Sequence, residues 1–149
     1  MATLMVKRSI KSGIQDIALS LSNSRPIQGE VQSFVLPWPA SVNALYRSVG
    51  GKVRVSAEAR AWKAQAAALL SCLRCVGVSW PLAGRLGIMI EAWPPNKRAR
   101  DLDNLIKVIL DAGNGLLWHD DAQIDDIRIV RMDVDPDGIG FVRFIVFTL

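Results

Sequence analysis

Arg85-Leu-Gly-Ile-Met-Ile-Glu-Ala-Trp-Pro-Pro-Asn-Lys-Arg-Ala-Arg-Asp-Leu-Asp-Asn-Leu-Ile-Lys-Val-Ile-Leu-Asp-Ala-Gly-Asn-Gly115 reads as a strand, a basic loop and an amphipathic helix in direct succession. Arg85 to Trp93 is a long apolar-rich run closed by Pro94-Pro95, which cannot continue a hydrogen-bonded ladder. From Asp101 to Ala112, Leu102, Leu105, Ile106, Ile109 and Leu110 recur at helical spacing and predict one buried stripe. Gly113-Asn114-Gly115 supplies residues that tolerate the left-handed turn ending a helix.

Working outward, Val31 to Leu36 is expected to be the first strand, stopped by Pro37-Trp38-Pro39. A loop from Ser41 to Gly51 holds Asn43, Tyr46 and Arg47, and Lys52 to Val55 is short and extended. Ser56 is a candidate N-cap for a helix reaching about Val76, with Trp62, Ala66, Leu69, Leu70 and Leu73 on its apolar side. Downstream, Ile127 to Val134 and Phe141 to Phe147 read as strands, with Asp135-Pro136-Asp137-Gly138 as a hairpin turn between them. Alternating strands and helices with a final strand pair predict a single α/β (α+β) domain, a mixed sheet with helices packed on it. This domain spans 31–149. Residues 1–30, rich in Ser and Lys/Arg with weak apolar periodicity, read as a flexible extension.

A chain of 149 residues suits one domain with a sizeable core. No run approaches the roughly 18 apolar residues of a membrane span, and the N-terminus lacks signal-peptide order, so a cytoplasmic protein is expected. Cys72 and Cys75 form a CxxC, but late in a helix and without a second pair for zinc, so they read as helix-packing residues. Of the net charge of +4, half lies in residues 1–30, where Lys7, Arg8, Lys11 and Arg25 face Asp16 and Glu30. Elsewhere charge is polarised: Lys97, Arg98 and Arg100 precede acids that begin at Asp101. Such a border suits a protein that attracts phosphate and also holds a cation, although charge runs are commonly just solvated surface.

Asp101 and Asp103 fall where the loop meets the helix. There the first residue is half outside helical geometry, so an i, i+2 pair can converge. One carboxylate at this point is ordinary dipole compensation; two directly after three cations ask for more. Asp103 and Lys107 share a helix face continued by Asp111, and the bland account is a surface ion pair worth about 0.2–0.5 kcal/mol. A second acidic node, Trp118-His-Asp-Asp-Ala-Gln-Ile124, allows Asp120 or Asp121 to return towards the helix start. Three converging oxygen donors suit Mg²⁺ or Mn²⁺, with water completing an octahedron. A cation so held acidifies water and offsets charge on phosphate oxygens. A lysine nearby, such as Lys107, would stabilise the same charge or orient the attacking water.

At these residues the sequence resembles the RusA family of Holliday-junction resolvases, mostly phage and prophage enzymes. The resemblance covers about residues 31–147. It rests on Leu36-Pro-Trp-Pro39 with Asn43, Val55-Ser-Ala-Glu58, Arg100-Asp-Leu-Asp-Asn-Leu105 with Lys107, and Trp118 followed by Asp120-Asp-Ala-Gln123. It implies a homodimeric, Mg²⁺-dependent endonuclease that resolves four-way DNA junctions by paired symmetric nicks. Asp101, Asp103 and Asp121 match the essential acids, Lys107 the catalytic lysine, and Lys97, Arg98 and Arg100 the basic approach; Ala99 departs from a usually basic position. Asn43 and Arg47, in a loop less aromatic than in some members, and Lys52, Arg54, Arg60 and Lys63, in the family's loop-and-helix region, are expected to extend the DNA surface, although each of these last four taken singly reads as an ordinary exposed charge. The implied setting is the cytoplasm of a bacterial host, with no small-molecule cofactor.

His119, the only histidine, invites a general-base role, but a metal generates the nucleophile without it. Trp38 is read as packing on the sheet, Trp62 and Trp93 as core, and Asp125 and Asp126 as residues capping or solvating the next strand. Ser56 has no histidine–acid partner set. The competing classes are a non-catalytic branched-DNA-binding protein and a metal-dependent nucleotide phosphohydrolase. Two-carboxylate glycoside hydrolysis leaves the basic run and Lys107 unused.

Overall fold

The computed structural model describes residues 31–39, 46–49, 52–74 and 77–149. The expected extension over residues 1–30, together with Asn43 and Cys75, lies outside them.

Strand β4 (Leu86–Trp93) is the centre of the fold because it is buried on both faces, Leu86 to Ala92 without exception, with Glu91 its one charged residue. It pairs in parallel with β5 (Ile124–Arg131) and antiparallel with β6 (Phe141–Thr148), which pairs antiparallel with β1 (Val31–Pro37). The sheet order is β1-β6-β4-β5. Two parallel neighbours need a crossover, and helix α2 (Leu102–Gly113) provides it. A separate antiparallel pair, β2 (Tyr46–Val49) and β3 (Lys52–Val55), precedes helix α1 (Ala57–Leu73). The mixed sheet with helices on it is the architecture the sequence predicts.

One expected feature is not formed: β5 and β6 are not a hairpin. Phe144 and Val146 of β6 are fully buried, and Phe144 stacks on Phe34 of β1 at 5.3 Å. That burial is available only between β4 and β1. The Asp135–Gly138 turn instead carries the chain across the end of β4, where Met132 N donates to Ala92 O (2.9 Å) and Asp135 N to Pro94 O (2.8 Å). The buried Asp135 carboxylate accepts from the amides of Ile139 (3.1 Å) and Gly140 (2.7 Å). Gly140, at φ +77°, passes so close to Pro95 that a Cβ would meet its Cδ at 2.6 Å.

Ser56 caps α1 as expected, its Oγ accepting from Ala59 N at 3.1 Å. The helix ends at Leu73, short of Val76. Trp62, Ala66 and Leu70 are buried, and Trp62 Nε1 donates to Pro37 O (3.1 Å), tying α1 to β1. Leu73 and Cys72 are exposed, so Cys72 is not the packing residue that its place in the helix suggests. The helices cover one sheet face, where Phe34, Leu36, Ile88, Ile90, Phe144 and Val146 meet Leu105, Val108, Ile109 and Trp118. The opposite face has a smaller cluster of Met89, Ile145 and Phe147, beside an Arg143 Nε–Glu91 Oε2 contact of 2.7 Å. Trp93 is half-buried and stacks on Phe141 at 5.5 Å, apart from the main core.

Candidate active site

Asp101 is the N-cap of α2, with extended φ −79° and ψ 129°, yet its carboxylate makes no capping hydrogen bond. An aspartate there ordinarily accepts from an amide of the first turn. Asp101 and Asp103 are both exposed, and neither side chain has a partner among the described residues. Two carboxylates thus stand at one helix start with their oxygens available. That suits the hard-oxygen chemistry of a divalent cation better than a structural role.

The loop leading to them is braced internally. Arg100 Nη1 donates to Asn96 O (3.2 Å) and Arg98 O (3.1 Å), and Nη2 to Asn96 Oδ1 (2.9 Å). Its guanidinium lies 5.4 Å from the Trp38 ring centroid, a cation–π distance. Arg100 is therefore half-buried and occupied within the loop. Lys97 and Arg98 are exposed, and their side chains have no partner among the described residues. Arg131, at the end of β5, donates to the Arg100 carbonyl. Trp38, Lys97, Arg98, Arg100 and Arg131 share one cleft of ≈ 260 Å³ beside the carboxylate pair.

The second acidic node is a 3-10 turn, Asp121–Gln123. The Asp120 carboxylate accepts from Ala122 N (2.7 Å) and caps the turn. Gln123 holds it from both ends: Oε1 accepts from the amides of His119 (2.7 Å) and Asp120 (3.0 Å), while Nε2 donates to Leu82 O (3.0 Å) and Gly84 O (2.9 Å). Asp121 is half-buried, and its Oδ1 accepts from Trp118 Nε1 at 2.8 Å. His119 is exposed.

The expected return of Asp121 to the start of α2 does not occur within one chain. Asp121 comes before β5, and Ile124 pairs with Leu86 at the opening of β4; Asp101 follows the close of β4, where Arg131 reaches Arg100. Along β5 that separation is on the order of 20 Å at ~3.3 Å per residue. Accordingly, among the described residues no three His, Cys, Asp or Glu side chains of one chain gather closely enough to share a metal ion. Lys107 is exposed on α2 and forms no ion pair with Asp103. Arg47 lies in β2, and Lys52 and Arg54 in β3. Asp125 and Asp126 belong to β5 itself and pair with Arg85 and Arg128, so they neither cap the strand nor stand free in solvent.

Arg131 escapes a sequence reading of the site, and so do the roles, though not the presence, of Trp118 and Gln123. Arg131 reaches it only because β5 runs parallel to β4 and ends where α2 begins. The other two sit in the Trp118…Gln123 motif, whose spacing marks the segment without saying which side chain orients which.

The family described as Endodeoxyribonuclease RusA matches residues 37–139, a span that contains Asp101, Asp103, Lys107 and Asp121. Crossover junction endodeoxyribonuclease RusA of Escherichia coli (strain K12) is 40% identical over 108 residues, covering 71% of this chain and 87% of that protein. The protein of that name from Shigella sonnei (strain Ss046) is 38% identical over 108 residues, with coverage of 71% and 87%. That from Enterobacteria phage 82 is 39% identical over 105 residues, covering 69% and 84%. With a matched family span of more than half the chain and these relatives covered over most of their length, the chain belongs to the RusA family of crossover junction endodeoxyribonucleases.

Proposed function

We propose that this chain resolves four-way DNA junctions by paired, Mg²⁺-dependent nicks, as a two-fold dimer with composite sites. In each site, Asp101 and Asp103 of one copy and Asp121 of the partner subunit hold the cation. The observation that carries this reading is the pair of carboxylates at the start of α2, exposed and without a partner among the described residues, entered through the exposed Lys97 and Arg98. Nucleases of this family are metal-dependent, and the oxygen-only donor set fits Mg²⁺, with Mn²⁺ as a substitute. The third carboxylate lies at the far end of α2, so a second copy is the direct way to complete the set. A two-fold dimer then presents two equal sites to a substrate of matching symmetry.

When bound, the cation lowers the pKa of an attacking water and offsets charge on the phosphate during in-line displacement. Lys97 and Arg98 draw the backbone in, and Arg47, Lys52, Arg54 and Asn43 extend that surface. Such contacts fix position and read branch shape more than base sequence. Lys107, exposed on α2 four residues after Asp103, stabilises the phosphate charge that builds in the transition state. His119 has no part in the chemistry. No helix among the described residues is long and apolar enough to cross a membrane, and relatives in enteric bacteria and a phage support action in a bacterial cytoplasm on phage or prophage DNA.

The test is to incubate the protein with a synthetic four-way junction and with linear duplex, in Mg²⁺ or chelator. Symmetric nicks in the junction alone, lost with chelator, are expected. Binding without nicking would point to a branched-DNA-binding protein, and nucleotide hydrolysis without DNA affinity to a phosphohydrolase; either sinks the proposal.

A further inference from the structure

We infer that Trp118 is a positioning residue for the third metal-binding carboxylate: its indole N–H fixes the Asp121 side chain so that the remaining oxygen faces the cation. The inference rests on Asp121 being a metal ligand, as proposed above.

Trp118 is fully buried, and its Nε1 donates to Asp121 Oδ1 at 2.8 Å. A buried indole N–H needs an acceptor, but any carbonyl would serve. Here it reaches past the turn backbone to a carboxylate at the rim of the core. A hydrogen bond to a charged acceptor is shorter and stronger than one to a neutral group. It takes one lone pair of Oδ1 from the core side and leaves Oδ2 free of the indole.

Both ends of this contact are fixed. The ring rests on Gly113, where a Cβ would lie 2.1 Å from Cη2, so the indole has no room to slide towards α2. Trp118 O accepts from Gly115 N at 2.8 Å. The Asp121 backbone is held by the Asp120 cap and by the four bonds of Gln123. A carboxylate on an open turn would otherwise rotate, and a ligand that must be immobilised on binding holds its metal more weakly. Outer partners of this kind are typically worth ~10–100-fold in metal affinity or activity.

The experiment measures Mn²⁺ affinity of the full chain, from the paramagnetic resonance of the free ion, in wild type, Trp118→Phe, Asp121→Asn and Ile90→Val. Ile90 is a fully buried residue of mid-β4, so its truncation controls for loss of core packing. Trp118→Phe is expected to weaken Mn²⁺ binding by ~10–100-fold, with cleavage recovered at high Mg²⁺, while Ile90→Val binds like wild type. If Trp118→Phe also binds like wild type while Asp121→Asn does not, the indole is merely structural and the inference is overturned. If Asp121→Asn itself binds normally, the composite-site reading falls with it. Protein labelled with ¹⁵N-tryptophan gives a second readout that does not depend on the Phe variant folding. The indole resonance that moves with Asp121→Asn is expected to move with Mg²⁺ as well, and its indifference to Mg²⁺ would overturn the inference too.

Discussion

Gly113 closes α2 directly beneath the ring of Trp118, so that a Cβ on it would fall 2.1 Å from Cη2 and 2.5 Å from Cζ2 of the indole. A glycine-to-alanine change inside a helix ordinarily gains ~0.5–1 kcal/mol. Here the ring is fully buried and cannot retreat, and overpacking of that kind costs ~1–3 kcal/mol. Gly113→Ala is therefore expected to lower stability, read as a reduced urea midpoint with an unchanged m-value. A midpoint equal to or above wild type would show that the ring yields.

The basic run divides into two roles. Arg98→Ala is expected to weaken junction binding and flatten its salt dependence, by about 0.9 in log–log slope per phosphate contact removed. Arg100→Ala acts differently, because its guanidinium is bonded to Asn96 and Arg98 and sits over Trp38. It is expected to lower the melting temperature and leave the slope alone. Titrations of both variants over a range of salt decide the matter, and equal slope changes would remove the distinction.

What the sequence makes legible here is what local periodicity and local chemistry carry. The runs Arg85–Trp93 and Asp101–Ala112 identify β4 and α2 because burial imposes their patterns, and the Ser56 cap is visible because capping spans only three residues. The partner of β6 is not visible, since the Asp135–Gly138 turn has the same local chemistry whether the chain returns beside β5 or crosses β4. The position of Asp121 is missed for a related reason. Its motif is recognisable, but only the parallel β4–β5 register reveals that it opens β5 while Asp101 follows the close of β4. Arg131 is hidden by the same topology.

Lys107 provides a test in which chemistry and scaffold separate. Among the described residues it has no partner, and the i, i+4 ion pair with Asp103 is not formed. Lys107→Ala is expected to leave melting temperature and junction affinity near wild type and to cut single-turnover cleavage by ~10²–10³-fold, the scale of a lost preorganised electrostatic contact. Cleavage within a few-fold of wild type at saturating enzyme would retire the assignment.

The placement of Asp103 and Asp121 at opposite ends of α2 makes a mixing experiment decisive. Asp103→Asn and Asp121→Asn are each expected to abolish nicking while junction binding survives, since every site in either homodimer lacks one carboxylate. In a composite arrangement, a heterodimer of the two variants concentrates both lesions in one site. The other site receives an intact Asp103 from one copy and the intact Asp121 of the partner subunit. Mixing the two inactive proteins under conditions that exchange subunits is therefore expected to restore single nicks, but not paired ones, in a four-way junction. Were each site built from a single chain, every heterodimer site would still carry a lesion and the mixture would stay inactive. The nicking pattern on a junction labelled on both opposed strands distinguishes these outcomes, and silence from a demonstrably exchanged mixture rejects the composite site.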